Sequence, residues 1–438
     1  MGSEILTGGM LIAFLAYGDF WRKMRRAAHE GFNVRASTSY QPLQEKESAL
    51  LVSHMLQDPN GWDDHLKRSA ASTVLSAVYG WLPIDSSADS LVGRINEMMH
   101  RVVQACLPGA FLVEIFPSML YLPDWMATWK RKGKDFFRKD TAMFEELLDD
   151  VRNKMVNIQN SGSSTPCFAA SLLEGEKKFM LNNQEAAWLA GTMFGAGAET
   201  TAAALSVFML AMTLYPDVMH CAQAQLDAVI GRGRLPTFDD RPNLPYIEAM
   251  VKEILRWRPV GPVGLPRRSM QDDWYKGYFI PKGTIVVYNT WAMNRDPKYF
   301  PDYDEFRPER YLDSSGQLAE AISDTHSLGH FTYGTGRRYL RPAFTYIHIK
   351  GFARICMGKD VANQALFIDI ATLLWAVNIE KARDKNGEHI IPSRTDCLDE
   401  GLVVRPVPFR CNITARFIEV PSIIAAVTVP LARIDSYN

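Results

Sequence analysis

The stretch "QEAAWLAGTMFGAGAETTAAALSVFMLAMTL", from Gln184 to Leu214, constrains this chain more than any other. It contains no proline and is apolar nearly all round, so it predicts one helix about 45 Å long at a rise of 1.5 Å per residue. A helix apolar on every side either crosses a bilayer or runs through the middle of a large core. Glu199, Thr200 and Thr201 sit at its centre beside Gly195 and Gly197. An ionisable group there is costly in lipid. It is costly in a protein core too, unless it has a partner or a task. Glu199 and the glycines argue for the core.

A chain of 438 residues, 47% of them hydrophobic, can bury such a core. Its net charge of −1, with both signs interspersed, gives no reason to expect a nucleic-acid partner. The cysteines at 106, 167, 221, 356, 397 and 411 are scattered, with no zinc spacing and no small disulfide framework. No secretory signal is visible. The apolar patch from Met10 to Ala16 is shorter than the ~20 residues that a membrane helix needs.

Helical periodicity also marks "DFWRKMRRAAHEGF" (Asp19 to Phe32), "KESALLVSHMLQ", Asp64 to Tyr79, "VMHCAQAQLDAVIG" and "LPYIEAMVKEILRW". From Pro259 the texture changes to β-branched runs and Gly/Pro turns: "VGLPRRS", "YKGYFIPKGTIVVYNTWAMN" and "EGLVVRPVPFRCNITARF" predict short strands and hairpins. The fold class expected is mainly α with a small β portion, in one domain spanning 1–438.

Three clusters can carry chemistry. Cys356 stands just before an apolar helical run, where the unpaired N–H groups of a helix stabilise a thiolate; the alternative is a merely buried cysteine. At Glu199-Thr200-Thr201, a threonine hydroxyl bonding back one turn opens the helix locally and a carboxylate beside it feeds protons; the alternative is a helix N-cap or a packing defect. Glu253 and Arg256, three apart, share a helix face, and Arg310 in "FRPERY" is a second guanidinium for the same carboxylate. Exposed, such a pair contributes little; buried, it is a structural clamp.

Taken together, Ala196-Gly197-Ala198-Glu199-Thr200-Thr201, Glu253-x-x-Arg256, Pro308-Glu309-Arg310, Gly336-Arg337-Arg338 and Cys356-x-Gly358 closely resemble the cytochrome P-450 haem-thiolate monooxygenases. "YGDFWRKMRR" supplies that family's Trp-x-x-x-Arg as Trp21 and Arg25. The texture is similar to fungal microsomal members. The resemblance implies the cytochrome P-450 fold, with the long central helix across haem b and Cys356 as its axial thiolate. It implies that Thr200 and Glu199 relay protons, and that Trp21, Arg25 and Arg267 meet the haem propionates. Arg338 and Arg354 compete for one more such role, and Gly358 lets the backbone lie close to the cofactor. Glu253, Arg256 and Arg310 become a structural clamp. A hydrophobic substrate is expected among Met193, Ala196, Val260, Val263, Leu265 and Leu402. O2 and an NADPH-cytochrome reductase are the implied partners, on the cytosolic face of the endoplasmic reticulum.

Two features depart from the family pattern. Removing Tyr339 to Arg354 leaves "YGTGRRICMG", which matches the family's cysteine loop with Tyr333 where phenylalanine is usual. The expectation is one site split by a translated intron over 339–354. The second expectation is a member that lacks the family's anchor helix, hinge and part of its first β region ahead of Trp21. The rivals are therefore an inactive, truncated or mis-spliced member, a haem isomerase or dehydratase, and a membrane-embedded binding protein.

Overall fold

The apolar stretch forms one uninterrupted α-helix of 32 residues, Asn183–Leu214, in the computed structural model of the chain. At 1.5 Å per residue it is about 48 Å long. Among the described residues it is the one helix long and apolar enough to cross a membrane, yet 78% of its most apolar window is buried inside the protein. Its glycines serve close packing. A Cβ on Gly191 would come within 2.3 Å of Phe144, and one on Gly195 within 2.8 Å of Met99.

The structure describes all residues except 85, 87–89, 106, 108, 159–166, 323–324, 326, 335–354, 400 and 433–438. The principal helices are α1 (Asp19–Phe32), α2 (Gln41–Gln57), α3 (Trp62–Tyr79), α4 (Ser90–Gln104), α5 (Thr128–Ile158), α6 (Asn183–Leu214), α7 (Pro216–Val229), α8 (Pro245–Trp257) and α9 (Lys359–Ala376). The chain divides into two units. The first comprises Met1–Tyr40 and Ala70–Glu199, the second Gln41–Ser69 and Thr200–Asn438. The division within α6 falls between Glu199 and Thr200.

In the first unit, Trp188 of α6 lies against Phe137 and Phe144 of α5, with ring centroids 5.5 and 5.2 Å away. Its buried indole N–H donates to Thr141 Oγ1 at 2.9 Å, which spares the polar atom a desolvation penalty. Arg101 of α4 reaches Asp140 of α5 at 2.7 Å.

In the second unit, α7, α8, α9 and the carboxyl half of α6 enclose an apolar core containing Phe208, Trp257, Phe306, Phe367 and Trp375. Among the described residues there are four antiparallel strand pairs, one of which contributes Val377, Ile379, Cys411 and Ile413 to this core. β1 (Arg267–Arg268) pairs with β4 (Ile285–Val286), and β2 (Asp273–Tyr275) with β3 (Tyr278–Ile280). β5 (Val377–Lys381) pairs with β8 (Cys411–Ala415), and β6 (Cys397–Asp399) with β7 (Val404–Pro406). One part of the expected β region is helical instead: Thr290–Met293 forms a turn of helix. Asn289 caps it, its side chain accepting the Ala292 N–H at 3.0 Å. Asparagine is among the strongest helix N-caps, and here it outweighs the β preference of the flanking residues.

Candidate active site

Glu253 and Arg256 lie on α8, both fully buried. The guanidinium grips the carboxylate with two hydrogen bonds, Nε to Oε2 at 2.7 Å and NH2 to Oε1 at 2.8 Å. Arg310, on the short 3-10 turn Pro308–Tyr311, donates from Nε to Oε1 at 3.1 Å. The Arg307 backbone N–H reaches the same oxygen at 2.8 Å. The remaining donors are used as well. Arg256 NH1 donates to the carbonyls of Asn294 (3.0 Å) and Tyr303 (2.9 Å), and Arg310 NH1 to that of Pro301 (2.9 Å). Burial opposes the Arg256 charge, but the hydrogen bonds and charge of Glu253 outweigh it, so its proton is held more firmly than usual. The group tethers α8 to the segment 294–310.

Asn294 extends this tether to the limb of chain that leads toward the cysteine. Its Oδ1 accepts the Phe331 N–H at 2.9 Å and its Nδ2 donates to Thr332 Oγ1 at 3.1 Å. Thr332 Oγ1 in turn donates to Leu255 O at 2.6 Å. His330, at the head of this limb, is buried. Burial, reinforced by the charges of Lys252 and Arg256, pushes its imidazole down to about 3, leaving it neutral at physiological pH. Nothing in the sequence singled out Asn294 or His330. Each is a lone polar residue whose importance lies in what distant elements place around it.

Cys356 lies two residues before Gly358, the residue that precedes α9, and its side chain is exposed. Its backbone N–H donates to Tyr333 O at 2.9 Å. The Tyr333 hydroxyl donates to Asn363 Oδ1 at 2.9 Å, on the second turn of α9. The 22 residues between Tyr333 and Cys356 thus leave and return to one place; without the 16 of the tract 339–354, six would remain. Lengthening a loop in that ratio costs about 1 kcal/mol of closure entropy. Gly336, Arg337, Arg338 and Arg354 lie outside the described residues, as does the tract itself.

The other candidates fall on both units. Trp21 and Arg25 share α1, the guanidinium 5.8 Å from the indole ring centroid. Arg267 pairs in register with Val286 at the β1–β4 ladder. Glu199 and Thr200 are half-buried, Ala196 is exposed and Met193 is buried. Val260 and the segment around Leu402 come together: Val404 N donates to Val260 O at 2.8 Å, and a Cβ on Gly261 would lie 3.9 Å from Leu402 O. Val263 is exposed and Leu265 half-buried.

A flat, bulky cofactor carried on a thiolate fits the surroundings of Cys356 in the second unit. The Cys356 side chain is accessible, and a Cβ on Gly358 would meet no described atom within 4 Å. In the middle of the otherwise buried α6, Ala196, Gly197, Glu199 and Thr200 keep accessible surface. A separate cavity of about 550 Å³, lined by Asn60, Thr213, His220, Lys381, Arg383 and Arg410 among others, contains none of the candidate residues. Its rim is polar and basic, unlike a lipophilic pocket.

Comparison with known proteins shows the family and the fold. The family model described as Cytochrome P-450 matches residues 5–339. The chain belongs to the cytochrome P-450 family. A Postia placenta cytochrome P-450 monooxygenase, number 58, is 59% identical over 425 residues, spanning 97% of this chain and 77% of the relative. A cytochrome P-450 monooxygenase of Armillaria gallica is 47% identical, over 97% of this chain and 78% of the relative. A zebra fish cytochrome P-450 structure with progesterone superimposes with a TM-score of 0.69 at 24% identity, covering 95% of this chain and 87% of that one. The mainly helical fold with small sheets is therefore the cytochrome P-450 fold. The chain is an oxidoreductase of the monooxygenase type, of a family that implies haem on a cysteine thiolate, use of O2 and a redox partner.

Proposed function

We propose that this cytochrome P-450 inserts one atom of O2 into a lipophilic small molecule, with electrons from NADPH delivered by a flavoprotein reductase. The observation that carries the reading is the return of Cys356 to Tyr333 at the head of α9, beside a loop limb tied to the Glu253 clamp. Haem bound there would supply oxygen activation, which a thiolate ligand promotes by pushing electron density onto iron. Cys356 would hold the metal. Trp21, Arg25 and Arg267, joined on motif grounds by Arg338 or Arg354, would donate to the propionates. Glu199 and Thr200 would hold and pass protons at their carboxylate and hydroxyl oxygens. Met193, Ala196, Val260, Val263, Leu265 and Leu402 would present an apolar lining to substrate. A terpenoid or aromatic secondary metabolite as substrate class, and the cytosolic face of the endoplasmic reticulum as location, rest on analogy with the family alone.

The decisive measurement is the absorption of the reduced protein under carbon monoxide. A thiolate-ligated haem gives the family's red-shifted band, and Cys356→Ser removes both band and turnover. Pigment and turnover that survive this substitution unchanged would falsify the assignment.

A second reading, an inactive mis-spliced member, is favoured by one observation. The family-model match ends at residue 339, where the tract begins. Sequencing of spliced mRNA decides it: a transcript that retains 339–354 removes the artefact.

A further inference from the structure

The geometry points to Tyr333 as a positioning residue for the cysteine ligand, a reading that rests on the assignment of Cys356 to the metal. Tyr333 holds the Cys356–Asn363 segment at two points. Its carbonyl takes the Cys356 N–H at 2.9 Å, and its hydroxyl, at the far end of the side chain, donates to Asn363 Oδ1 at 2.9 Å. One grip is on the ligand residue, and the other is on the helix that follows it.

The ring between the two grips is braced. Its centroid lies 5.6 Å from that of His330, whose limb is fixed through Asn294 to the clamp. A phenylalanine at 333 would keep the carbonyl grip and the ring contact but could not donate to Asn363. The hydroxyl is therefore the one separable part of the device.

The need for it follows from the loop. With 22 residues between the two limbs, chain entropy pulls them apart more strongly than in a short connection. One hydrogen bond donated by a part-buried hydroxyl is of the same order as that extra pull. We assign the Tyr333–Asn363 bond the task of keeping Cys356 in register with α9 in a chain whose cysteine loop is long.

The test uses the full chain, loaded with haem, as wild type, Tyr333→Phe, Asn363→Ala and the double variant. Amide hydrogen exchange at Cys356 is followed alongside the ferric–ferrous midpoint potential and the thermal midpoint. Tyr333→Phe should lower protection of the Cys356 N–H about five-fold, the effect of one net hydrogen bond. Asn363→Ala should do the same, and the double variant no more. The potential should shift while the thermal midpoint falls by no more than about 2 °C.

Unchanged protection in Tyr333→Phe, or losses that simply add in the double variant, overturns the latch. Reduced protection with an unmoved potential overturns its role in positioning the ligand. A wild-type chain without the red-shifted carbon monoxide band sinks the haem-thiolate assignment instead, and with it the positioning role. The exchange data on the same chain still decide whether the latch exists.

Discussion

Two buried charge clusters in the second unit are built on opposite ratios. Around Glu253, one carboxylate faces two guanidinium groups, and the surplus donors end on backbone carbonyls. Between α2, α3 and α9, two buried carboxylates, Glu47 and Asp369, share one buried guanidinium, Arg68. Arg68 NH1 donates to Glu47 Oε2 at 3.1 Å. Asp369 holds its proton well above the usual carboxylate range, because of burial first and the Glu47 charge second, with Arg68 only partly offsetting them. The first cluster sets two guanidinium groups against one carboxylate; in the second, burial and the Glu47 charge favour the protonated form of Asp369. A buried ion is tolerated when its partners match it in number and hydrogen bonds, and otherwise it gives up its charge.

The contrast breaks most visibly at the clamp. Arg256→Met strands Glu253 in the core with fewer donors, and the expected loss is about 3–5 kcal/mol by denaturant titration, with loss of pigment. A loss below about 1 kcal/mol would show that Arg310 and the Arg307 N–H suffice alone.

Asp369→Asn tests the other cluster, with a definite sign. The folded-state pKa of Asp369 is raised, so the folded chain binds the extra proton. Its contribution to stability is full below the unfolded carboxyl value of about 3.9. It then declines as pH rises toward the folded value. At neutral pH and above, Asp369→Asn should raise stability by about 1 kcal/mol and flatten this part of the pH profile. A steeper profile in the variant would mean that the carboxylate is charged and paired.

The smallest effect belongs at the surface. Arg307 pairs with Asp302 at 3.1 Å, but both side chains are about half exposed or more. Arg307→Ala should change stability by less than about 0.5 kcal/mol, since the Arg307 contact to Glu253 is made by the backbone. A change comparable to that of Arg256→Met would place Arg307 in the clamp itself.

Much of this molecule was legible in one dimension because helical periodicity is local. α1 begins and ends at the residues its pattern marks, Asp19 and Phe32, and α6 starts one residue before the expected Gln184. The Thr290–Met293 turn departs from the strand expectation because the cap that decides it, Asn289, competes with strand-like neighbours. At the site, spacing showed that Glu253 and Arg256 share a helix face but not whether that face is inside the protein. Asn294 and Asp369 carried no motif at all, and their partners come from elements far away in sequence.

The long central helix, the order of the motifs and the identity of the thiol at 356 can be read along the chain, because each depends on neighbours within a few turns. Only the tertiary structure decided which charges are buried, which of them keep their protons, and that Tyr333 and Cys356 meet across 22 intervening residues. Burial and loop closure are set by elements remote in the chain, and no local pattern encodes them.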